Sequence, residues 1–332
     1  MKALVVPAKK SLEKVCSPAC RELLDKSFEV IYNESEKELT SEELAVKIQD
    51  ADILLTTWGS PVLTGEALEA AKNLKYIGHA AGTLKNRIPD ETFDRGIRVF
   101  SGAGRIARSV AEYCMAAVFV SLRNFKSCDR DIRTGDWAGA KSNGTGDELT
   151  GNTVGIISAS STAREFLQML APFGCTIKLY DPFLSAEAAA DLGAQKAELD
   201  EVMACPIVSN HAPVLPSTKG MITRRRLSLI PDGGLFINSA RAVLVDNDAL
   251  YDELQSGRIR AVLDVFNREP LEGAELERLR GMDNTVLTPH IAGATHQEWQ
   301  ALMNCIVTDI LHAIHGEKTH YEIPASRWEI LA

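Results

Sequence analysis

Short apolar, β-branched runs alternate with longer stretches of helical period along the whole chain. A short apolar run bounded by turn formers predicts a buried strand, and an apolar stripe at i, i+3 and i+4 predicts a helix. Five runs of the first kind open the chain, at Ala3–Val6, Phe28–Tyr32, Asp52–Thr56, Lys75–His79 and Ile97–Phe100. Ser17–Lys26, Ser41–Ala51 and Gly65–Lys72 between them have helical character. A second series runs through Thr153–Ile157, Thr176–Tyr180, Ile207–Asn210, Gly234–Asn238, Arg260–Asp264 and Thr285–Thr288. Its helices are expected at Ala163–Ala171, Asp248–Ser256 and about Thr295 to His315. Such alternation predicts parallel sheets covered by helices on both faces, and two series predict two α/β domains. The Gly-rich polar stretch Asp136–Asp147 reads as an exposed loop ahead of the second series.

Composition narrows the picture. A chain of 332 residues fits two domains and can bury a core without disulfide or metal staples. With 36 basic against 45 acidic residues and a net charge of -9, it lacks the excess of Lys and Arg that a nucleic-acid partner requires. The one dense basic run, Arg224–Arg226, reads as the solvated face of a helix. The seven cysteines, at 16, 20, 114, 128, 175, 205 and 305, form no C-x-x-C pair and no zinc-finger spacing. They are expected to be buried, reduced thiols in a cytoplasmic protein. The first apolar run is too short for a signal peptide. The longest, near 113–122, is too short for a membrane span.

Thr153-Val-Gly-Ile-Ile-Ser-Ala-Ser-Ser-Thr-Ala-Arg164 reads as strand, tight turn and helix. It occupies the place of a G-x-G-x-x-G dinucleotide loop, with Ser158, Ser160 and Ala163 at the three glycine positions. Ala163 suits the third position, which needs only close packing. Ser158 is the departure: either its backbone is left-handed and strained, or the turn has re-formed around serine hydroxyls. The helix start still offers N–H groups to an anion. Asp181, about 20 residues beyond, is placed either to accept hydrogen bonds from a ribose or merely to open the turn at Pro182.

Further motifs lie downstream: Phe236-Ile-Asn-Ser-Ala-Arg-Ala-Val-Leu-Val-Asp246, Ala261-Val-Leu-Asp-Val-Phe-Asn-Arg-Glu-Pro-Leu271 and Leu287-Thr-Pro-His-Ile-Ala-Gly-Ala-Thr295. With Val208–Met221 and Val110-Ala-Glu-Tyr113, these make nearly the whole chain resemble the D-isomer-specific 2-hydroxyacid dehydrogenase family. The resemblance implies two Rossmann-like, doubly wound parallel-sheet α/β domains. One is a flavodoxin-like catalytic domain formed by 1–101 and 297–332; the other is an NAD-binding Rossmann domain over 102–296. It implies an oxidoreductase that uses NAD (NADH) and no metal to interconvert a small 2-oxo acid and its D-2-hydroxy acid.

By resemblance Arg241 binds the carboxylate, and His290, paired with Glu269, is the acid/base. The chemistry is coherent: an arginine fork clasps a carboxylate. An imidazole gives or takes a proton near neutrality, and an adjacent carboxylate favours its charged form. Singly, Arg241 also reads as a solvated residue leading a helix, Glu269 as a turn residue before Pro270, and His290 as a strand-end imidazole satisfied by backbone. The implied cofactor contacts are Ser160, Ser161, Thr162, Asp181, His211, Ala212, Pro213, Ser239, Ala240, Asp264 and Gly293, with Asp264 at the nicotinamide carboxamide. The implied substrate contacts are Ala81 and Gly82 in His79-Ala-Ala-Gly-Thr-Leu84, together with Arg241 and Trp58. Leu84-Lys85 replaces the usual acidic residue there. Trp58 lines the cleft or is a core residue, and Trp299 is a second aromatic candidate. A homodimer through the helix near 105–125 is also implied, with Ile106, Val110, Cys114 and Val118 as its apolar stripe. Two other readings compete. One is a non-catalytic NAD(H)-sensing scaffold of the corepressor type. The other is formate dehydrogenase, disfavoured by Glu269 where that branch carries Gln.

Overall fold

The computed structural model describes residues 1–330. Its strands are β1 (Lys2–Val5), β2 (Glu29–Tyr32), β3 (Ile53–Thr56), β4 (Tyr76–His79) and β5 (Arg98–Ser101). There follow β6 (Thr153–Ile157), β7 (Thr176–Tyr180), β8 (Gln195–Lys196), β9 (Ile207–Asn210), β10 (Leu235–Asn238), β11 (Arg260–Leu263) and β12 (Thr285–Leu287). β13 (Glu322–Ile323) comes last. The chain divides into two compact units, one of Met1–Ile106 with the chain from Ala294 onward, the other of Ala107–Gly293.

The first unit holds a sheet of order β13-β5-β4-β3-β1-β2, parallel except for β13 against β5. The second holds the order β12-β11-β10-β9-β6-β7-β8, parallel throughout. Parallel strands are buried on both faces, which is why the inner ones are unbroken apolar runs. Every residue of β3, β9 and β10 is buried. The two-residue strands β8 and β13 are absent from the sequence reading because neither carries an apolar run. Both are sheet edges, β8 polar and exposed, β13 half-buried with Ile323 against the core.

Helix starts follow side-chain caps. Ser17 accepts from Cys20 N, and Thr40 with Glu43 forms a reciprocal capping box. The stretch expected as a loop, Asp136–Asp147, instead contains the helix Trp137–Asn143. Asp136 Oδ1 caps it, accepting from Gly139 N at 2.8 Å. The glycines there had concealed it. Arg224–Leu227 is a helical turn, and its arginines pair with Asp200 and Asp252.

In the first unit the helix His296–His315 lays Leu302, Met303, Ile306 and Ile310 against Val5, Ile53 and Leu55. It comes so close to β4 that a Cβ on Gly78 would stand 2.4 Å from Ile306 Cγ2. In the second unit the same constraint acts at Gly155 of β6, where a Cβ would lie 2.4 Å from the Val202 carbonyl oxygen. In the helix Ala103–Leu122, Cys114 and Val118 are fully buried within the second unit's own core. That part of the apolar stripe is therefore spent inside the chain and says nothing of a partner. All seven cysteines are free thiols; Cys16, Cys20, Cys114 and Cys205 are buried, and the other three are partly so. Among the described residues no helix is long and apolar enough to cross a membrane.

Glu298, in the first turn of His296–His315, is fully buried, and neither carboxyl oxygen has a hydrogen-bond partner. Burial pushes its pKa up to about 7, with Arg105 opposing. The folded value thus exceeds the unfolded one, so the native state holds the proton more tightly. The contribution of Glu298 to stability is full below the ordinary carboxyl value of 4.5, is lost as pH rises from there through about 7, and levels off above it. Glu298→Gln, which carries no charge at any pH, is expected to melt several degrees above the parent at pH 8. The gap should close toward pH 4.5. Thermal melts across that range check this; a gap independent of pH would show that Glu298 does not titrate in the fold.

Candidate active site

Because β6–β12 are parallel, their carboxyl ends share one edge of the sheet. The strand order reverses between β6 and β9, the place where open α/β sheets take ligands. Six of these strands end in residues with chemistry. Ser158 follows β6, Asp181 follows β7, Asn210 ends β9 with His211 next, and Asn238 ends β10 ahead of Arg241. Asp264 follows β11, and Thr288 follows β12 ahead of His290.

The turn after β6 is left-handed at Ser158, with φ 74°. A Cβ in that region costs about 1–2 kcal/mol. The turn is held by neighbours: Ser158 N donates to Tyr180 O at 2.7 Å and Ala159 N to Asp181 Oδ2 at 2.8 Å. The Ser158 hydroxyl reaches the same carboxylate at 3.3 Å, and Phe183 N donates to Oδ1 at 2.9 Å. Asp181 therefore both braces the loop and opens the turn, and it retains one of the roughly four acceptor sites of a carboxylate.

Ser160 has an ordinary backbone and caps the helix Ser161–Leu170 by accepting from Ala163 N at 3.4 Å. The first-turn amides of Ser161 and Thr162 lack carbonyl partners within the helix and suit an anion. Ala163 is fully buried, as close helix–strand packing requires. An anion cradle followed by a carboxylate with a free acceptor site fits the phosphates and ribose of a dinucleotide. His211 is buried beside Phe166, with Nε2 2.9 Å from Ser209 Oγ. Burial pushes it down to about 4, so it stands neutral.

At the other side of the edge, His290 Nδ1 lies 2.7 Å from Glu269 Oε2. A carboxylate only accepts, so Nδ1 carries the proton and Nε2 faces away from Glu269. Glu269 Oε1 accepts from Phe266 N at 3.2 Å, which steadies the pair. Arg241 is exposed and feels Glu269 as its electrostatic neighbour. Its Nη1 donates to Ala240 O at 2.7 Å, leaving the rest of the fork free. Asn238 orients that segment, donating from Nδ2 to Arg241 O at 3.2 Å and accepting from Ala240 N at 3.2 Å. Arg241, Glu269 and His290 thus come together within one unit.

Asp264 is fully buried, and its carboxylate takes Thr288 Oγ1, Ile291 N and Ala292 N at 2.6–2.9 Å. The sequence suggested a cofactor contact for Asp264; what the structure shows is that it anchors the loop that bears His290. Sequence reasoning missed Asn210, whose Nδ2 donates to Asn238 Oδ1 at 3.1 Å. The available signal was a polar residue closing one apolar strand after another.

In the first unit, the expected substrate loop is tied down by its neighbours. Thr57 Oγ1 donates to Ala80 O and Ser101 Oγ to Gly82 O, each at 2.7 Å. Ala81 is fully buried, whereas Gly82 is partly exposed and Trp58 is 45% exposed, which removes the core reading of Trp58. Leu84, at the usual acidic position, belongs to the core. Among the described residues no group of His, Cys, Asp or Glu could hold a metal ion.

Residues 115–292 match the family model "D-isomer specific 2-hydroxyacid dehydrogenase, NAD binding domain". A D-3-phosphoglycerate dehydrogenase of Methanocaldococcus jannaschii is 32% identical over 84% of this chain and 53% of its own length. A hydroxypyruvate reductase of Thermotoga maritima is 34% identical over 82% of this chain and 90% of its own. The chain thus spans about half the length of the first relative and most of the second. In fold it is similar to a phosphoglycerate oxidoreductase from Rhizobium etli, with TM-score 0.81 over 97% of this chain and 98% of that one at 23% identity. The residues on the sheet edge and these likenesses agree: the chain belongs to the D-isomer specific 2-hydroxyacid dehydrogenase family.

Proposed function

We propose that this protein is an NAD-dependent oxidoreductase that interconverts a small 2-oxo acid and the corresponding D-2-hydroxy acid. The observation that carries the reading is the 2.7 Å pair of His290 Nδ1 and Glu269 Oε2 in the neighbourhood of Arg241. When bound, NADH supplies a hydride to the carbonyl carbon. The chain's own work is to bind, orient and supply a proton. Arg241 receives the substrate carboxylate on the open part of its fork. His290 Nε2 gives a proton to the carbonyl oxygen in reduction and takes it back in oxidation. Glu269 holds one imidazole proton on Nδ1, so that the proton given up in reduction is the one on Nε2. Asp181 favours a free ribose hydroxyl over a 2′-phosphate, so NADH is the expected cofactor.

The direct test is NADH and NADPH consumption with glyoxylate, hydroxypyruvate, pyruvate and bulkier 2-oxo acids. Turnover with at least one is expected, with NADH preferred. In that assay His290→Ala should lose about 10²–10⁴-fold in turnover, the contribution of a positioned general acid, while still binding NADH. Undiminished turnover would remove His290 from the chemistry. No turnover with any oxo acid, despite tight NADH binding, would favour the sensing scaffold.

Arg241→Lys keeps the charge and loses the fork, so most of kcat/KM should vanish. A Lys variant with wild-type steady-state constants would place the carboxylate elsewhere.

Ser158→Gly tests the turn. Relief of about 1–2 kcal/mol of left-handed strain is offset by up to about 1 kcal/mol of glycine flexibility. The expected protein is equally or slightly more stable and binds NADH at least as tightly. A glycine variant about tenfold weaker, near 1.4 kcal/mol, would mean that the 158 hydroxyl itself serves the cofactor.

A further inference from the structure

His290 has φ 55°, a backbone conformation that residues with a Cβ rarely adopt. Such an outlier persists only where the surroundings over-determine it. The residues on both sides of His290 are gripped by a single carboxylate. Asp264 Oδ1 accepts from Thr288 Oγ1 at 2.6 Å and from Ile291 N at 2.8 Å, and Oδ2 accepts from Ala292 N at 2.9 Å. His290 N closes the turn on Thr288 O at 3.0 Å.

The Tyr113 hydroxyl stands 2.5 Å from Thr288 Oγ1. Thr288 has one hydroxyl proton and commits it to a carboxylate, so Tyr113 is the donor in this second bond. Burial pushes Tyr113 up to about 12, so it keeps that proton at ordinary pH. The chain of donation runs from Tyr113 through Thr288 to Asp264, and no bond in it involves the His290 side chain.

We propose that Tyr113 and Thr288 are positioning residues for His290: acting through Asp264, they hold its backbone left-handed so that Nδ1 meets Glu269 and Nε2 is presented to the substrate oxygen. The catalytic half of this proposal rests on the proton-donor role given to His290 above; the geometric half does not. Without the Thr288 hydroxyl, Asp264 loses one of its donors. The 288–292 turn is then free to relax to negative φ, and Nδ1 swings away from Oε2. Tyr113 acts one step further out, by fixing where the Thr288 hydroxyl points.

The experiment uses Thr288→Val, Thr288→Ser and Tyr113→Phe in the full chain. The His290 Nδ1–H proton, assigned by its loss in His290→Ala, is read by NMR, since a short bond to carboxylate moves it downfield. kcat and kcat/KM are measured with the best 2-oxo acid of the panel, and NADH affinity is titrated to check that the second unit is intact. Thr288→Val is expected to lose or shift the resonance and to lower kcat about 10–100-fold, the scale of a small misplacement of a reacting group. NADH affinity should stay close to that of the parent. Thr288→Ser should restore both readouts, and Tyr113→Phe should fall between. Wild-type resonance and kcat in both Thr288→Val and Tyr113→Phe would overturn the proposal. Should Thr288→Val fail to bind NADH, Tyr113→Phe, which removes one oxygen atom, decides alone. Should the parent reduce no 2-oxo acid, the functional reading falls, and the resonance still decides the positioning.

Discussion

Parallel strands need both faces covered, and that requirement organises each of the two units. Between successive strands of the seven-stranded sheet a helix returns the chain to the starting edge, so every strand of that sheet delivers its carboxyl end to the same side. The closeness this demands is visible at Gly155 and Gly78, where even a methyl group would collide with the covering helix or its neighbours. Chemistry then collects on one edge as a by-product of packing. Residues far apart in sequence, such as Ser158, Asn238 and His290, come to lie along one line because each sits at or shortly past the end of a strand of the same sheet.

Two of these strand ends are strained in the same way. Ser158 and His290 both have positive φ, and both are followed by amides that donate to a nearby carboxylate. Asp181 does this for the turn after β6, and Asp264 for the turn after β12. A left-handed residue costs about 1–2 kcal/mol, and charge-assisted bonds of roughly 1.5–3 kcal/mol each are of the right size to hold it. The difference lies in burial. Asp264 is fully enclosed, whereas Asp181 is partly exposed and keeps an acceptor site for something outside the protein. One carboxylate is committed to holding a loop, while the other can hold a loop and face a ligand.

The alternation of strands and helices was legible in the sequence because buried parallel strands are plain apolar runs. The edges β8 and β13 were not, since a strand of two residues leaves no periodic trace. The helix Trp137–Asn143 was hidden by its glycines, although Asp136 as an N-cap was present to be read. Arg241, Glu269 and His290 were identified from their motifs, and they do gather on one edge. Their supporting residues were harder to see. Thr288 and Tyr113 stand inside the motifs that carry the family resemblance, but a hydroxyl-to-hydroxyl bond across 175 positions has no signature in a single sequence. Glu298 was equally silent, because an acidic residue in the first turn of a helix usually faces solvent and favours the helix dipole.

The pairing of Asn210 with Asn238 shows what such supporting residues contribute. Their side chains meet at 3.1 Å across β9 and β10, fully buried. Asn210 also accepts from Ala212 N, and Asn238 also accepts from Ala240 N and donates to Arg241 O. Two leucines could fill a similar volume, and burying an amide that lacks a partner costs about 1–3 kcal/mol, so apolar packing would be the easier route to stability. It could not, however, tell the backbone after each strand which way to turn. A satisfied amide pair does so, because its donors and acceptors are met in only one arrangement of the two loops. The loop carrying His211 and Ala212 and the loop carrying Arg241 are thereby set relative to each other before any ligand arrives. The carboxylate contact proposed for Arg241 depends on that setting as well as on charge, because a planar fork is directional.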